Sequence, residues 1–89
     1  MALATKGITK KTFISSDEAI RWATQQYGGK DAENAKELPR FRLTAQNVPR
    51  EFWTDTAKYK KVEAHFDSDG AIHHFEAIDK DGHMVRRYP

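Results

Sequence analysis

Two near-identical tetrapeptides, Asp67-Ser68-Asp69-Gly70 and Asp79-Lys80-Asp81-Gly82, do most to limit what this chain can become. Such a tetrapeptide between β-rich segments is hairpin punctuation. Aspartate bonds its own backbone, and glycine takes the positive φ that tight turns need. The segments around the two turns, residues 59–66, 71–78 and 83–88, are rich in β-branched and aromatic residues. The pattern predicts an antiparallel meander of three strands.

The upstream half supplies what covers that sheet. Residues 8–14 are β-branched and predict a further strand. Ser15 stands three residues before Glu18, a capping box that opens a helix over residues 16–27. Ala19, Ile20, Ala23 and Tyr27 share one face of it, with Trp22 at the edge and Arg21, Thr24 and Gln25 facing water. Gly28-Gly29 ends it. Residues 31–38 read as a short helix or a loop, halted before Pro39. Phe41, Leu43 and Ala45 alternate with Arg42, Thr44 and Gln46, the period of a strand with one wet face. Pro49 begins a helical turn in which Phe52 and Trp53 plug one end of the core.

With 89 residues, the chain has room for one domain, residues 1–89, and for a thin core. The expected class is α+β. One antiparallel sheet of about four to five strands carries the N-terminal helix on one face, in two layers ordered β-α-β-β-β-β. Residues 1–6 are expected to be flexible. If the turns close as four-residue loops, Phe66 faces Ala71 and Ile78 faces His83. One sheet face then holds Val62, Ala64, Phe66, Ala71, His73, Phe75, Ala77, Met84 and Tyr88 against the helix. The other holds Lys61, Glu63, His65, His74, Glu76 and Arg87, with Ile72, Ile78, His83 and Val85 between them.

The chain has no cysteine, which removes disulfide scaffolds, thiol catalysis and cysteine zinc sites. It has no apolar run of membrane length and no leader-like start, so the expected address is cytoplasmic, with no membrane partner. Net charge is only +2, but acids gather in the two turns while Arg40, Arg42, Lys60, Lys61, Arg86 and Arg87 form a candidate basic surface. Cations for phosphates, with Tyr59 or Trp53 for stacking, are what nucleic-acid binding requires. The reading that follows is a small basic-faced module that binds a macromolecule, RNA or DNA being favoured over a protein. The alternative is a protein-interaction or inhibitor module of phage or mobile-element type acting on a host protein.

A second alternative is a metal-independent ribonuclease. It would use Glu63, His65 and His74 for proton transfer, with Lys61 and Arg87 on the phosphate. Binding is favoured over catalysis. His65 and His74, with Glu63 or Glu76, also have the chemistry of metal ligands, but their spacing matches no established pattern. Both turns fail the calcium-loop positions. No metal or cofactor is therefore expected, and the expected state is a monomer or small homo-oligomer.

Overall fold

The computed structural model describes residues 3–88. Its elements are β1 (Lys10–Phe13), α1 (Ser16–Tyr27), α2 (Ala32–Gln46), α3 (Arg50–Thr54), β2 (Tyr59–Phe66), β3 (Ile72–Asp79) and β4 (Met84–Tyr88). The strands form one antiparallel sheet in the order β1-β2-β3-β4. The helices lie on one face of it, so the chain is α+β. The order is β-α-α-α-β-β-β rather than the expected β-α-β-β-β-β.

The difference lies in residues 41–46, which belong to α2 and not to a strand. Asn34, Glu37, Phe41, Thr44 and Ala45 are buried while Leu43 is exposed, which is helical periodicity carried straight through Pro39. Proline removes one helical N–H donor. Here Pro39 and Ala35 are both exposed, so the interruption of the hydrogen-bond ladder falls on the wet side of the helix. Asp31 caps the helix by accepting from the Asn34 N–H at 3.1 Å. Ser15 caps α1 in the same way, accepting from the Glu18 N–H at 3.1 Å.

α2 is also the centre of the core. The Phe41 ring meets Phe13, Trp22, Tyr27, Phe66 and Phe75, with centroids 5.4–6.3 Å apart. Ala19, Ala23 and Tyr27 supply the buried face of α1, as its periodicity predicts. Phe52 and Trp53 of α3 are buried at the end of the core; Phe52 meets Tyr59 and Tyr88, and Trp53 meets Phe75. Of the N-terminal stretch expected to be flexible, residues 1 and 2 lie outside the described residues, and Leu3 and Thr5 are buried. Thr5 donates to the Gly70 carbonyl, which Tyr27 also reaches at 3.3 Å. A Cβ on Gly70 would come within 2.7 Å of the Thr5 carbonyl carbon, and Gly70 has a φ of 90°, so only glycine fits.

The turns close one residue tighter than four-residue loops. Asp67 N–H donates to Ala71 O and Asp79 N–H to His83 O, both at 2.9 Å, and each loop ends in a positive-φ glycine. Phe66 therefore pairs with Ile72, not Ala71, and Ile78 with Met84, not His83. Farther along, β2 and β3 pair in a different register, His65 with His74 and Glu63 with Glu76. His73 is the extra residue that reconciles the two registers, a β-bulge. Three expected positions are corrected, Ile72 and His73 by this bulge and Met84 by a further register shift in the pairing of β3 with β4. Ile72 turns into the core and is fully buried, His73 leaves the core face and is exposed, and Met84 is 50% exposed.

Two substitutions test this architecture. Ala23→Asp places an unpaired charge under the sheet and is expected to destabilise by about 3–5 kcal/mol in urea unfolding. Pro39→Ala restores a helical donor. If residues 32–46 are one helix, it raises stability by about 2 kcal/mol, the helix gain less the unfolded-state entropy that proline had removed.

Candidate functional site

Among the described residues no helix lies over the outer sheet face, yet it is not simply wet. Two adjacent cross-strand pairs, His65 with His74 and Glu63 with Glu76, stand in its centre, flanked by Thr12, Lys61 and Arg87 in register. Glu63 is only 7% exposed and His74 only 8%. Alternation along β2 and β3 puts all four side chains on one side, and the backbone fixes which of them oppose.

Their polar atoms satisfy one another. The His74 Nε2–H donates to Glu76 Oε2 at 2.7 Å. His65 Nε2 lies 3.4 Å from both Glu63 Oε1 and Glu76 Oε1, and the Lys61 ammonium is 3.3 Å from Glu63 Oε2. The two imidazoles stack, with centroids 4.6 Å apart and planes 12° apart. The bulge adds a fifth member, because His73 Nδ1 and His74 Nδ1 are 2.8 Å apart. One proton sits between those two nitrogens, so one ring donates and the other accepts.

Burial lowers the pKa of His74 below its ordinary value of 6.5. The hydrogen bond to Glu76 pulls the other way, and the charges of Arg87 and His65 add to the lowering. Burial raises the pKa of Glu76, but the bond from His74 and the charges of His65, His74 and Arg87 outweigh it and hold this carboxyl below its ordinary value. Glu76 is an ionised acceptor and His74 a neutral donor to it.

The structure brings Glu63, His65 and His74 together and adds Glu76, whose place beside them follows from alternation once the register is known. It separates the six basic residues. Arg40 and Arg42 are exposed on α2, in the helix layer, and Arg40 lies 3.3 Å from Glu37. Lys61 and Arg87 are on the opposite side of the sheet, next to the histidine–glutamate cluster. Lys60 occupies a second register shift, between Tyr59 and Lys61, and Arg86 pairs with Ala77 on the last strand. Neither aromatic considered for stacking is free: Trp53 is buried and Tyr59 packs edge-on against Phe52 at 4.6 Å. Sequence reasoning missed Glu37, a buried carboxylate that accepts from the Ile72 N–H at 3.0 Å and ties α2 to the start of β3. Its signal was its place in the stripe 34-37-41-44-45. No family model, no curated protein and no solved structure matches this chain.

The cluster makes stability depend on pH in a defined sense. Because folded His74 binds its proton less readily than unfolded His74, the unfolded state takes up protons first as pH falls below about 6.5. Native stability therefore declines from neutral pH through that range. The Glu76 contribution is lost only in more acidic solution, as the pH drops through its lowered pKa. His74→Gln is expected to flatten the near-neutral part of the profile, measured as the urea midpoint against pH with chelator present.

Proposed function

We propose that this chain is a protein-binding module that takes up an extended, acidic segment of a partner along β4. One observation carries the reading. β4 is an edge strand paired only with β3, exposed from Met84 through Arg87, and it sets two exposed apolar residues beside two arginines. An edge strand offers a row of backbone donors and acceptors to an incoming strand. Met84 and Val85, 50% and 42% exposed, add apolar contact. Arg86 and Arg87 form no ion pair with a carboxylate among the described residues; Arg87 acts on Glu76 only from a distance, and both arginines are exposed to incoming acidic side chains.

Two features weigh against nucleic acid as the ligand. The basic residues fall on opposite sides of the sheet, and of the aromatic planes that bases would stack on Trp53 is buried while Tyr59 is partly buried against the core. Ribonuclease chemistry is disfavoured by the stacked imidazoles. Acid and base must reach opposite ends of a phosphate, whereas these rings lie side by side with their Nε2 atoms on carboxylates, which repel an anion.

Fluorescence anisotropy with a labelled peptide of about six residues alternating Glu and Val, the length of an ordinary strand, tests the reading. The native chain is expected to bind it, to bind the Lys–Val analogue at least ~10-fold more weakly, and to lose binding in the R86E/R87E variant. Lys60→Glu should leave binding unchanged. A mixed-sequence single-stranded oligonucleotide that binds better than the peptide, with affinity falling steeply in salt, would overturn the proposal in favour of nucleic acid.

A further inference from the structure

We infer that the cluster at the centre of the outer face is a divalent transition-metal site, with His65, His74 and Glu76 as ligands, Glu63 as the fourth, and Zn2+ as the cation that suits them. The inference is independent of β4. One ligand atom from each of His65, His74 and Glu76 falls within 4.8 Å of the others. Four ligands around Zn2+ at ~2.0–2.1 Å stand roughly 3.4 Å apart. His65 Nε2 is already 3.4 Å from Glu76 Oε1 and 3.4 Å from Glu63 Oε1. The 2.7 Å contact between His74 Nε2 and Glu76 Oε2 is a hydrogen bond that opens when a metal replaces its proton. The stacked rings must tilt toward each other to share one ion, a rotation about the broad terminal torsion of histidine.

Three further observations point to a cation. Glu63 and Glu76 are directly opposed on neighbouring strands, where like charges repel, and a metal between them converts the repulsion into attraction. An outer shell is already in place: with His74 Nε2 on the metal, its Nδ1–H donates to His73 Nδ1 over the existing 2.8 Å contact. Lys61 holds the second oxygen of Glu63. Two imidazoles with two carboxylates suit zinc over magnesium or calcium, which take oxygen ligands. A second group, Asp79, Asp81 and His83, is a turn device instead, because Asp79 Oδ1 already accepts from the Asp81 and His83 N–H groups at 2.9 Å.

The probe is Zn2+ itself, titrated into chelator-stripped protein by calorimetry and in competition with a chromophoric zinc chelator. One equivalent is expected to bind and to raise the thermal midpoint. His73→Ala should weaken binding about 10–100-fold, as loss of an outer-shell partner does, and His65→Ala, His74→Ala and Glu76→Gln should weaken it more. His83→Ala should bind as the native chain does. Because His74 is buried and its variant is at risk of misfolding, the native chain is also followed by NMR. The imidazole resonances of His65 and His74 should shift with the first equivalent while those of His83 stay. No saturable binding, or binding abolished by His83→Ala and kept in His65→Ala, would overturn the site.

Discussion

One extra residue in β3 decides how the two faces of this sheet differ. The turn at Asp67–Gly70 closes so that Phe66 opposes Ile72, while the strands beyond it pair in a register that would put Phe66 opposite His73. His73 absorbs the mismatch as a bulge. On one side of it, Ile72 swings inward and its N–H is taken by Glu37. On the other, His74 and Glu76 line up with His65 and Glu63 on the outer face. Without the bulge, either Ile72 would leave the core or the four polar residues would face Phe41.

The helix layer depends on the same spot. Glu37 is a buried carboxylate, expensive to leave unpaired, and the N–H of Ile72 and the guanidinium of Arg40 satisfy it. That bond fixes the height of α2 along β3 and brings Phe41 over Phe75 and Phe66. The N-terminal segment is fastened to the same hairpin, through Thr5 and Tyr27 on the Gly70 carbonyl. Burial pushes the Tyr27 hydroxyl up to about 12, so it remains a neutral donor across the range in which the protein folds. A chain with so thin a core gains its uniqueness from such directional bonds as much as from apolar area.

How much of this could be read beforehand depends on whether a pattern was ambiguous. α1 carried a cap, a stripe and a glycine stop that agree, and the meander carried two turns, so both were legible. Residues 41–46 were not, because Phe41-Arg42-Leu43-Thr44-Ala45-Gln46 alternates like a strand while Phe41 and Ala45 also stand one helical turn apart. Pro39 argues for a break, and the buried polar residues Asn34 and Glu37 disguise the stripe that continues through it. The candidate site was half legible for a geometrical reason. The expected register differs from the observed one by two residues, and a slip of two preserves which face each side chain takes. Glu63, His65, His74 and Glu76 were thus on the right face with the wrong partners: Lys61 opposes Ile78 and not Glu76. Only the register shifts reverse a face, at Ile72 and His73 in β3 and at Met84 in β4, and nothing in the spacing of these residues announces them.

The outer face also sets the terms on which a functional role is argued. Two opposed glutamates and two stacked imidazoles, mostly shielded from water, are a poor way to stabilise a sheet. Apolar residues of similar volume in such positions are commonly neutral or better for stability. The network leaves no buried side-chain polar atom without a partner among the described residues. It is therefore well made, and it holds Glu76 ionised and its central histidine neutral. An arrangement that satisfies every hydrogen bond while setting the ionised Glu76 directly opposite a second carboxyl group is electrostatically incomplete on its own. Lys61 and Arg87 at its margins offset part of that charge from the side, and a divalent cation offsets it from the centre.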